Sequence, residues 1–174
     1  MGKVMQNCSV VVMGVSGCGK TTVGAALALR LGWKFVEGDA FHSDGNRRKM
    51  HAGIALTDAD RQAWLAQLGL TLSEAVRQPV VLSCSALKRS YRDRFRHDAP
   101  GLRFVWLDVT RDLAAERVAS RGVSHFFPRT LIDSQFETLE APCNEKDVLR
   151  LDGGAPLSGT VDQACAWLRE RAGL

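Results

Sequence analysis

A glycine-rich segment, Gly14-Val-Ser-Gly-Cys-Gly-Lys20-Thr21, matches the pattern G-x-x-x-x-G-K-[ST] at every position. Glycines let the backbone N–H groups of such a loop turn inward, where together they surround an anion. The positive end of the helix that follows adds to this attraction. The motif therefore predicts a site for a nucleoside triphosphate, and the expected binding residues are Gly14, Val15, Ser16, Gly17, Cys18, Gly19, Lys20, Thr21 and Thr22.

Three side chains of this loop differ in their expected roles. Lys20 would place its positive charge on the β- and γ-phosphates, and the Thr21 hydroxyl would be a direct ligand of Mg²⁺. Because the loop works through its backbone, we expect the thiol of Cys18 to take no part in binding, although its oxidation could block the site.

Two carboxylates, Glu37 and Asp39, follow the strand-like residues Phe35 and Val36. If the chain stays extended there, both side chains point to the same side. One could accept a proton from a substrate hydroxyl while the other, Glu37, holds water on the metal, which suits a kinase of small molecules. A solvated turn fits the composition equally well. Asp108, at the end of a later strand, is a weaker candidate for the metal.

Basic side chains occur in two further places. The stretch from His42 to His51 could bind a polyhydroxy or carboxylate substrate, or it could be a solvated loop. Lys88 and Arg92 are four residues apart on a predicted helix and so share a face. Two cations there could hold a carboxylate or a phosphate, and a solvated basic face is the alternative.

The elements that position these residues follow from alternating apolar runs and amphipathic stretches. Strands are predicted over Ser9–Met13, Trp33–Val36, Pro79–Cys84, Leu102–Leu107 and Val148–Leu151. Helices are predicted over Lys20–Leu31, Thr57–Arg77, Ala86–Arg96, Asp112–Arg121, Pro128–Leu139 and Leu157–Arg171. This alternation predicts an α/β fold of parallel strands with helices on both faces, whose ligands sit at the carboxyl ends of the strands.

Composition limits the remaining possibilities. The chain has 174 residues, which corresponds to one domain at about 150 residues per domain. Hydrophobic residues make up 45% and charged residues 24%, as in a soluble globular protein, and the net charge of +4 does not demand nucleic acid as a partner. No apolar run reaches the roughly 20 residues of a membrane span. The five cysteines include no CxxC pair, so we expect reduced thiols in a cytoplasmic protein.

An ordered set of segments resembles the gluconate kinases over nearly the whole chain. The segments are Gly38-Asp39-Ala-Phe-His42 with Asn46 and Lys49-Met50, Leu56 to Leu65, Cys84 to Asp93, His125-Phe-Phe127, and Gln135 to Pro142. Many families share the phosphate loop, whereas this ordered set is specific. Ser43 departs from the pattern, since the family often has proline after the histidine, and we expect that to change loop rigidity rather than chemistry.

The resemblance implies a single P-loop kinase domain over residues 1–174, in the branch similar to nucleoside-monophosphate kinases, with a three-layer α/β/α fold and a five-stranded parallel sheet. It implies transfer of the γ-phosphoryl of ATP, with Mg²⁺, to the 6-hydroxyl of D-gluconate. Asp39 would be the catalytic base or orienting group and would also contact the substrate. The other candidate substrate-binding residues are His42, Lys49, Arg61, Lys88 and Arg92, with a substrate segment over about 38–77. Relatives of this kind also suggest a homodimer.

A short segment between two helices looks like the lid of this fold, over about 121–129. Arg117 and Arg121 precede it four residues apart, and Arg129 follows it. Phosphoryl transfer needs positive charge against the transition state and exclusion of water. Arg117 and Arg121 are therefore the candidate catalytic arginines, with Arg129 third. The loop at residues 152–156 is the candidate contact for the adenine base.

Three other functions stay open at this point. A shikimate or nucleotide kinase of the same fold would carry other residues after the second and third strands. A GTPase-like switch should show an Asn-Lys-x-Asp element, which this sequence lacks. A nucleic-acid-binding protein would be expected to have a larger positive charge interleaved with aromatic residues.

Overall fold

Five parallel strands form one sheet in the computed structural model, which describes residues 8–121 and 129–172. In chain order they are β1 (Val10–Met13), β2 (Lys34–Glu37), β3 (Val80–Ser83), β4 (Arg103–Asp108) and β5 (Val148–Asp152). Their spatial order is β2-β3-β1-β4-β5. Ligands of such sheets bind at the carboxyl ends of the strands, where the strand order reverses. That point is the carboxyl end of β1, where the glycine-rich segment begins.

Helices connect the strands and cover both faces of the sheet. They are α1 (Lys20–Leu31), α2 (Asp44–His51), α3 (Asp58–Glu74), α4 (Arg89–Asp98), α5 (Arg111–Ser120), α6 (Arg129–Thr138) and α7 (Leu157–Ala172), with a 3-10 turn over Gly38–Phe41. The predicted bounds of α1 are confirmed. α3 begins after Thr57, whose hydroxyl forms a capping box with Asp60.

Alternate residues of the strands face opposite sides of the sheet and pack into two apolar layers. Val10 and Val12 pack with residues of α1 and α7, whereas Val11 and Met13 pack with residues of α3 and α4. All four are fully buried. The predicted three-layer α/β/α fold is thereby confirmed. No helix within the described ranges is both long and apolar enough to span a bilayer.

Three local features differ from the sequence prediction. Gly38–Phe41 is a 3-10 turn and not an extended chain, so the expectation that Glu37 and Asp39 share one side of a strand is wrong. The polar stretch that follows folds as α2, because the Ser43 hydroxyl accepts the N–H of Asn46 and caps it. α4 begins three residues later than predicted, since Ala86 has a left-handed φ of +43°.

Candidate active site

The glycine-rich segment links β1 to α1 at the carboxyl edge of the sheet. Gly17 has a φ of +82°, and a Cβ atom there would lie 2.5 Å from the carbonyl oxygen of Ala114, so only glycine fits. The ammonium of Lys20 donates to the Val15 carbonyl at 3.0 Å, which keeps its charge at the loop. Burial raises the pKa of the Cys18 thiol. A buried, protonated thiol supports the expectation that the loop binds phosphate through its backbone.

A cavity of about 330 Å³ lies beside the phosphate loop and is a candidate site for the nucleoside. Its lining includes Thr22, Leu157, and the residues Gly153 and Ala155 of the predicted adenine loop. Arg117 also lines it, and Nη1 of this residue donates to the Gly153 carbonyl at 2.8 Å. The nucleoside cavity is therefore bounded by the phosphate loop, α5 and α7.

The predicted lid falls mostly on residues 122–128, which lie outside the described residues. Of its flanking arginines, Arg117 and Arg121 line the nucleoside cavity. Nη1 of Arg117 also lies 3.4 Å from the carbonyl oxygens of two residues of the phosphate loop. Arg129 lies 3.8 Å from Asp112, and both side chains are highly exposed. A catalytic role for Arg117 and Arg121 stays a prediction, and unlike Arg129 both of them line the cavity beside the phosphate loop.

The carboxylate of Glu37 joins three elements at the end of β2. Its Oε2 accepts a hydrogen bond from the Thr21 hydroxyl of α1 at 2.6 Å, and its Oε1 accepts from the Ser83 hydroxyl of β3 at 2.8 Å. Carboxylate and hydroxyl oxygens are hard ligands of the kind that Mg²⁺ prefers, and these two are close enough to serve the same ion. Asp108, the weaker metal candidate, is paired with Arg150 at 2.5 Å instead.

Asp39 stands in the 3-10 turn, immediately after a close approach of β2 and β3. A Cβ atom on Gly38 would lie 2.2 Å from the carbonyl oxygen of Ser83, so a larger residue does not fit there. The indole Nε1 of Trp64 donates to the Gly38 carbonyl at 2.8 Å and fixes the turn from the side of α3. The side chain of Asp39 is 65% exposed. Its position is therefore set by the backbone, while its carboxylate is accessible to a ligand.

His42 lies beside Asp39, and its ring stacks on Trp64 at a centroid distance of 4.3 Å and an interplanar angle of 14°. Nε2 of His42 is 4.0 Å from Oδ1 of Asp39. Burial lowers the pKa of His42, and the opposing effect of Asp39 does not restore it, so the ring is neutral at pH 7. Within the described part of the chain, the buried Nδ1 has no hydrogen-bond partner. A neutral, buried ring therefore lies beside the candidate base.

Three of the predicted substrate-binding cations make hydrogen bonds with other side chains. The partners are Asp60 for Lys49 (2.6 Å), Asp58 for Lys88 (2.7 Å) and the Tyr91 hydroxyl for Arg61 (3.4 Å). Hydrogen bonds from Lys49 and Thr57 lower the pKa of Asp60 to about 2, so its carboxylate stays charged. Ion pairs of this exposure are individually weak. An anionic ligand could therefore replace these carboxylates at small cost.

Arg92 does not fit the role that the sequence predicts for it. Lys88 is the N-cap of α4 rather than part of the helix, so the two cations do not share a helix face. Arg92 is 0% exposed. Its guanidinium donates at 2.6–3.2 Å to the Glu145 carboxylate and to the carbonyls of Ala86, Leu87 and Glu140. All three nitrogens are therefore occupied, and we remove Arg92 from the candidate substrate contacts.

Three charged residues affect the pKa of the Cys84 thiol, which lies just after β3. Burial raises its pKa to about 12, and Asp39 acts in the same direction, while Lys20 and Arg61 act against it. These three charged residues come from the 3-10 turn, the phosphate loop and α3. The lysine of the phosphate loop and the candidate base thus act on the same region.

One residue of the site, Gln135 on α6, has no role in the sequence prediction. Its Oε1 accepts the N–H of Ser16 in the phosphate loop at 2.7 Å. It also lines a cleft with Met50 and Arg61 of the predicted substrate segment. The sequence feature that could have pointed to this residue is its place in the segment from Gln135 to Pro142, which resembles the gluconate kinases.

Known proteins similar to this chain identify its family. A family model described as an AAA domain matches residues 10–143. The gluconokinase of Gluconobacter oxydans is 49% identical over 146 residues, which cover 83% of this chain and 82% of that protein. The thermosensitive gluconokinase of Escherichia coli is 38% identical over 89% of this chain and 84% of its own.

A solved structure gives the same result. The crystal structure of a gluconokinase from Sinorhizobium meliloti matches with a TM-score of 0.86 and 48% identity, and the match covers 97% of this chain and 94% of that one. Both the sequence and the arrangement of the elements are therefore similar to those of the same group of enzymes. The chain belongs to the gluconokinase family of P-loop kinases.

Proposed function

We propose that the protein transfers the γ-phosphoryl group of ATP to the 6-hydroxyl of D-gluconate, giving 6-phospho-D-gluconate and ADP. The observation that carries this proposal is the 2.6 Å hydrogen bond from Thr21 to Glu37, which joins the phosphate loop to the strand end that leads directly into Asp39 and the predicted acceptor segment. Phosphoryl transfer requires that donor and acceptor be held together in a field of positive charge. The relatives named gluconokinase support the choice of acceptor.

The reacting groups would be held by the phosphate loop and the 3-10 turn. Lys20 would neutralise charge on the transferring phosphoryl group, and Asp39 would accept the proton of the attacking hydroxyl or orient that hydroxyl. Arg117 and Arg121 would supply further positive charge from the nucleotide side. His42, being neutral, would hydrogen-bond a hydroxyl of the acceptor close to Asp39.

The rest of the acceptor would be bound by Lys49, Arg61 and Lys88. Each of these cations has a hydrogen-bond partner in the ligand-free chain, at partly exposed positions. The carboxylate and hydroxyls of a sugar acid would replace those partners with charge-assisted hydrogen bonds. These side chains belong to α2, α3 and the start of α4, so a ligand between them would link three separate elements.

Mg²⁺ fits the pair formed by the Thr21 hydroxyl and the Glu37 carboxylate. These two oxygens lie 2.6 Å apart at the phosphate loop, and Mg²⁺ is commonly held by one or two protein oxygens together with phosphate oxygens and water. Thr21 would bind the ion directly and Glu37 through water. The bound ion would neutralise negative charge on the β- and γ-phosphates.

Glu37→Gln is expected to raise the Mg²⁺ concentration for half-maximal activity by about 10–100-fold, because the amide removes the charge that holds the ion's water. The measurement is initial rate against Mg²⁺ at fixed ATP and D-gluconate. Glu170→Gln, the same exchange at an exposed position of α7, is the control and should leave the curve in place. An unmoved curve for Glu37→Gln would remove this carboxylate from the metal site.

A coupled assay of ADP release tests the proposed function. It would use Mg-ATP with D-gluconate, shikimate, AMP or no acceptor. Turnover with D-gluconate alone is the expected result. Turnover with another acceptor would keep the phosphate loop but reassign residues 42–50. Tight ATP binding without turnover on any acceptor would favour a switch and contradict the proposed roles of the carboxylates.

Several wider expectations go with this proposal. The sequence contains no CxxC pair, which fits a reducing compartment, and we propose the cytoplasm. We also propose that the chain acts as one kinase domain, with its substrate segment over about 38–77. The homodimer and the absence of nucleic-acid binding stay predictions. Sedimentation would test the first, and the salt dependence of any DNA binding would test the second.

A further inference from the structure

The side chain of Gln135 contacts the phosphate loop and lines a cleft that includes Arg61, a candidate acceptor-binding residue. Its Oε1 accepts the N–H of Ser16 at 2.7 Å, although the two residues are 119 positions apart in the chain. Gln135 also lines a cleft together with Met50, Leu56 and Arg61. One side chain therefore contacts the loop that would hold the ATP phosphates and borders the space where the acceptor would lie.

The bond to Ser16 fixes which way the amide of Gln135 is turned. A backbone N–H can only donate, so the atom facing Ser16 is the carbonyl oxygen of the side chain. The Nε2 group, with its two N–H donors, is then the end left for other contacts. Among the residues that the structure describes, it has no hydrogen-bond partner. It is not among the buried side-chain nitrogens of these residues that lack a partner, so it is open to solvent and to a ligand oxygen.

α6 holds this amide in a fixed place. Leu131 and Ile132 of the helix are buried in the core. Just beyond its end, the N–H of Glu140 donates to the Leu87 carbonyl at 2.9 Å, and the Glu140 carboxylate accepts the N–H of Arg89 at 2.6 Å. The helix that carries Gln135 is thus anchored to the loop after β3. The backbone position of Gln135 beside the cleft is therefore fixed before a ligand binds.

We propose that Gln135 is a specificity-determining residue of the acceptor site, whose Nε2 donates a hydrogen bond to a hydroxyl or carboxylate oxygen of the sugar acid. This inference rests on the proposed function, because it takes the acceptor to be a polyhydroxy acid. An acceptor without an oxygen at that point would leave this donor unpaired in the complex. Sites of this kind discriminate strongly against analogues that lack the matching group.

Two substitutions of Gln135 test the proposal. Gln135→Glu keeps an oxygen for the Ser16 N–H but replaces the donor with a second oxygen that repels an anion. Gln135→Met keeps the length of the side chain and removes both hydrogen bonds. Asp133→Asn, on the same helix and paired with Arg111 at the surface, is the control. Titration calorimetry would measure the Kd of D-gluconate and of MgADP for each protein, with thermal melts to verify folding.

The Kd of D-gluconate is expected to rise at least about tenfold in both Gln135 variants. The Kd of MgADP should change less than about threefold in Gln135→Met, and Asp133→Asn should match the unchanged protein. An unaltered Kd of D-gluconate in both variants would overturn the proposal. Equal weakening of D-gluconate and MgADP would also overturn it, since Gln135 would then only support the phosphate loop. If the unchanged protein neither binds nor phosphorylates D-gluconate, the proposed function itself is wrong.

Discussion

Asp39→Asn is expected to lower kcat with D-gluconate by about 10²–10⁴-fold, because an amide of the same size cannot take the proton of the acceptor hydroxyl. The fold should tolerate the exchange. Asp39 is 65% exposed, and Nε2 of the neutral His42 ring is 4.0 Å away, while the turn is held by the backbone contacts of Gly38. MgADP should bind with unchanged affinity. Steady-state kinetics would measure kcat, and calorimetry would measure the affinity for MgADP.

Asp162→Asn provides the matched control for that experiment. Asp162 is an exposed carboxylate of α7 that pairs with Arg30 at the surface, and we assign it no role in the reaction. Its variant should keep a kcat close to that of the unchanged protein. Near-normal turnover of Asp39→Asn would exclude Asp39 as the base. A parallel loss of MgADP affinity would instead place Asp39 in nucleotide binding.

The sheet and the phosphate loop can be predicted from the sequence because each has a local signature. β1 and β3 are continuous apolar runs because both of their faces are buried, and β1 was predicted one residue too long at its start. The phosphate loop requires glycine and lysine at fixed spacing, so its place at the end of β1 follows from the motif. These features depend on residues that are neighbours in the chain.

The features that sequence reasoning missed depend on contacts between distant parts of the chain. The turn that carries Asp39 depends on the approach of Gly38 to the carbonyl of Ser83. The orientation of the Gln135 amide depends on its hydrogen bond with Ser16, which is 119 residues away. Spacing along one segment also misassigned Arg92, because the partner that buries its charge lies 53 residues further on. The spacing of residues within one helix does not reveal such contacts between distant segments.

Arg92→Met is expected to lower the free energy of unfolding by about 3–5 kcal/mol, the cost of breaking a buried ion pair. Arg92 and Glu145 have side chains that are 1% and 8% exposed. Burial would raise the pKa of Glu145, but hydrogen bonds from Arg92 and Arg96 lower it. Removing the guanidinium leaves that carboxylate with Arg96 as its one ion-pair partner among the described residues. It also removes the donor to the carbonyl of Ala86, a residue held in the left-handed region.

Urea unfolding followed by circular dichroism measures this loss, and Arg89→Met is its control. Arg89 is on the same helix, its side chain is 68% exposed, and its ion pair with Asp93 spans 3.6 Å, so its loss should cost no more than about 0.5 kcal/mol. Replacing Arg92 and Glu145 together by methionine should cost less than Arg92→Met, since no charge is then left buried. At temperatures where Arg92→Met is folded, its KM for D-gluconate should be unchanged. A stable Arg92→Met protein with a raised KM would restore Arg92 to the acceptor site and contradict its assignment as a structural clamp.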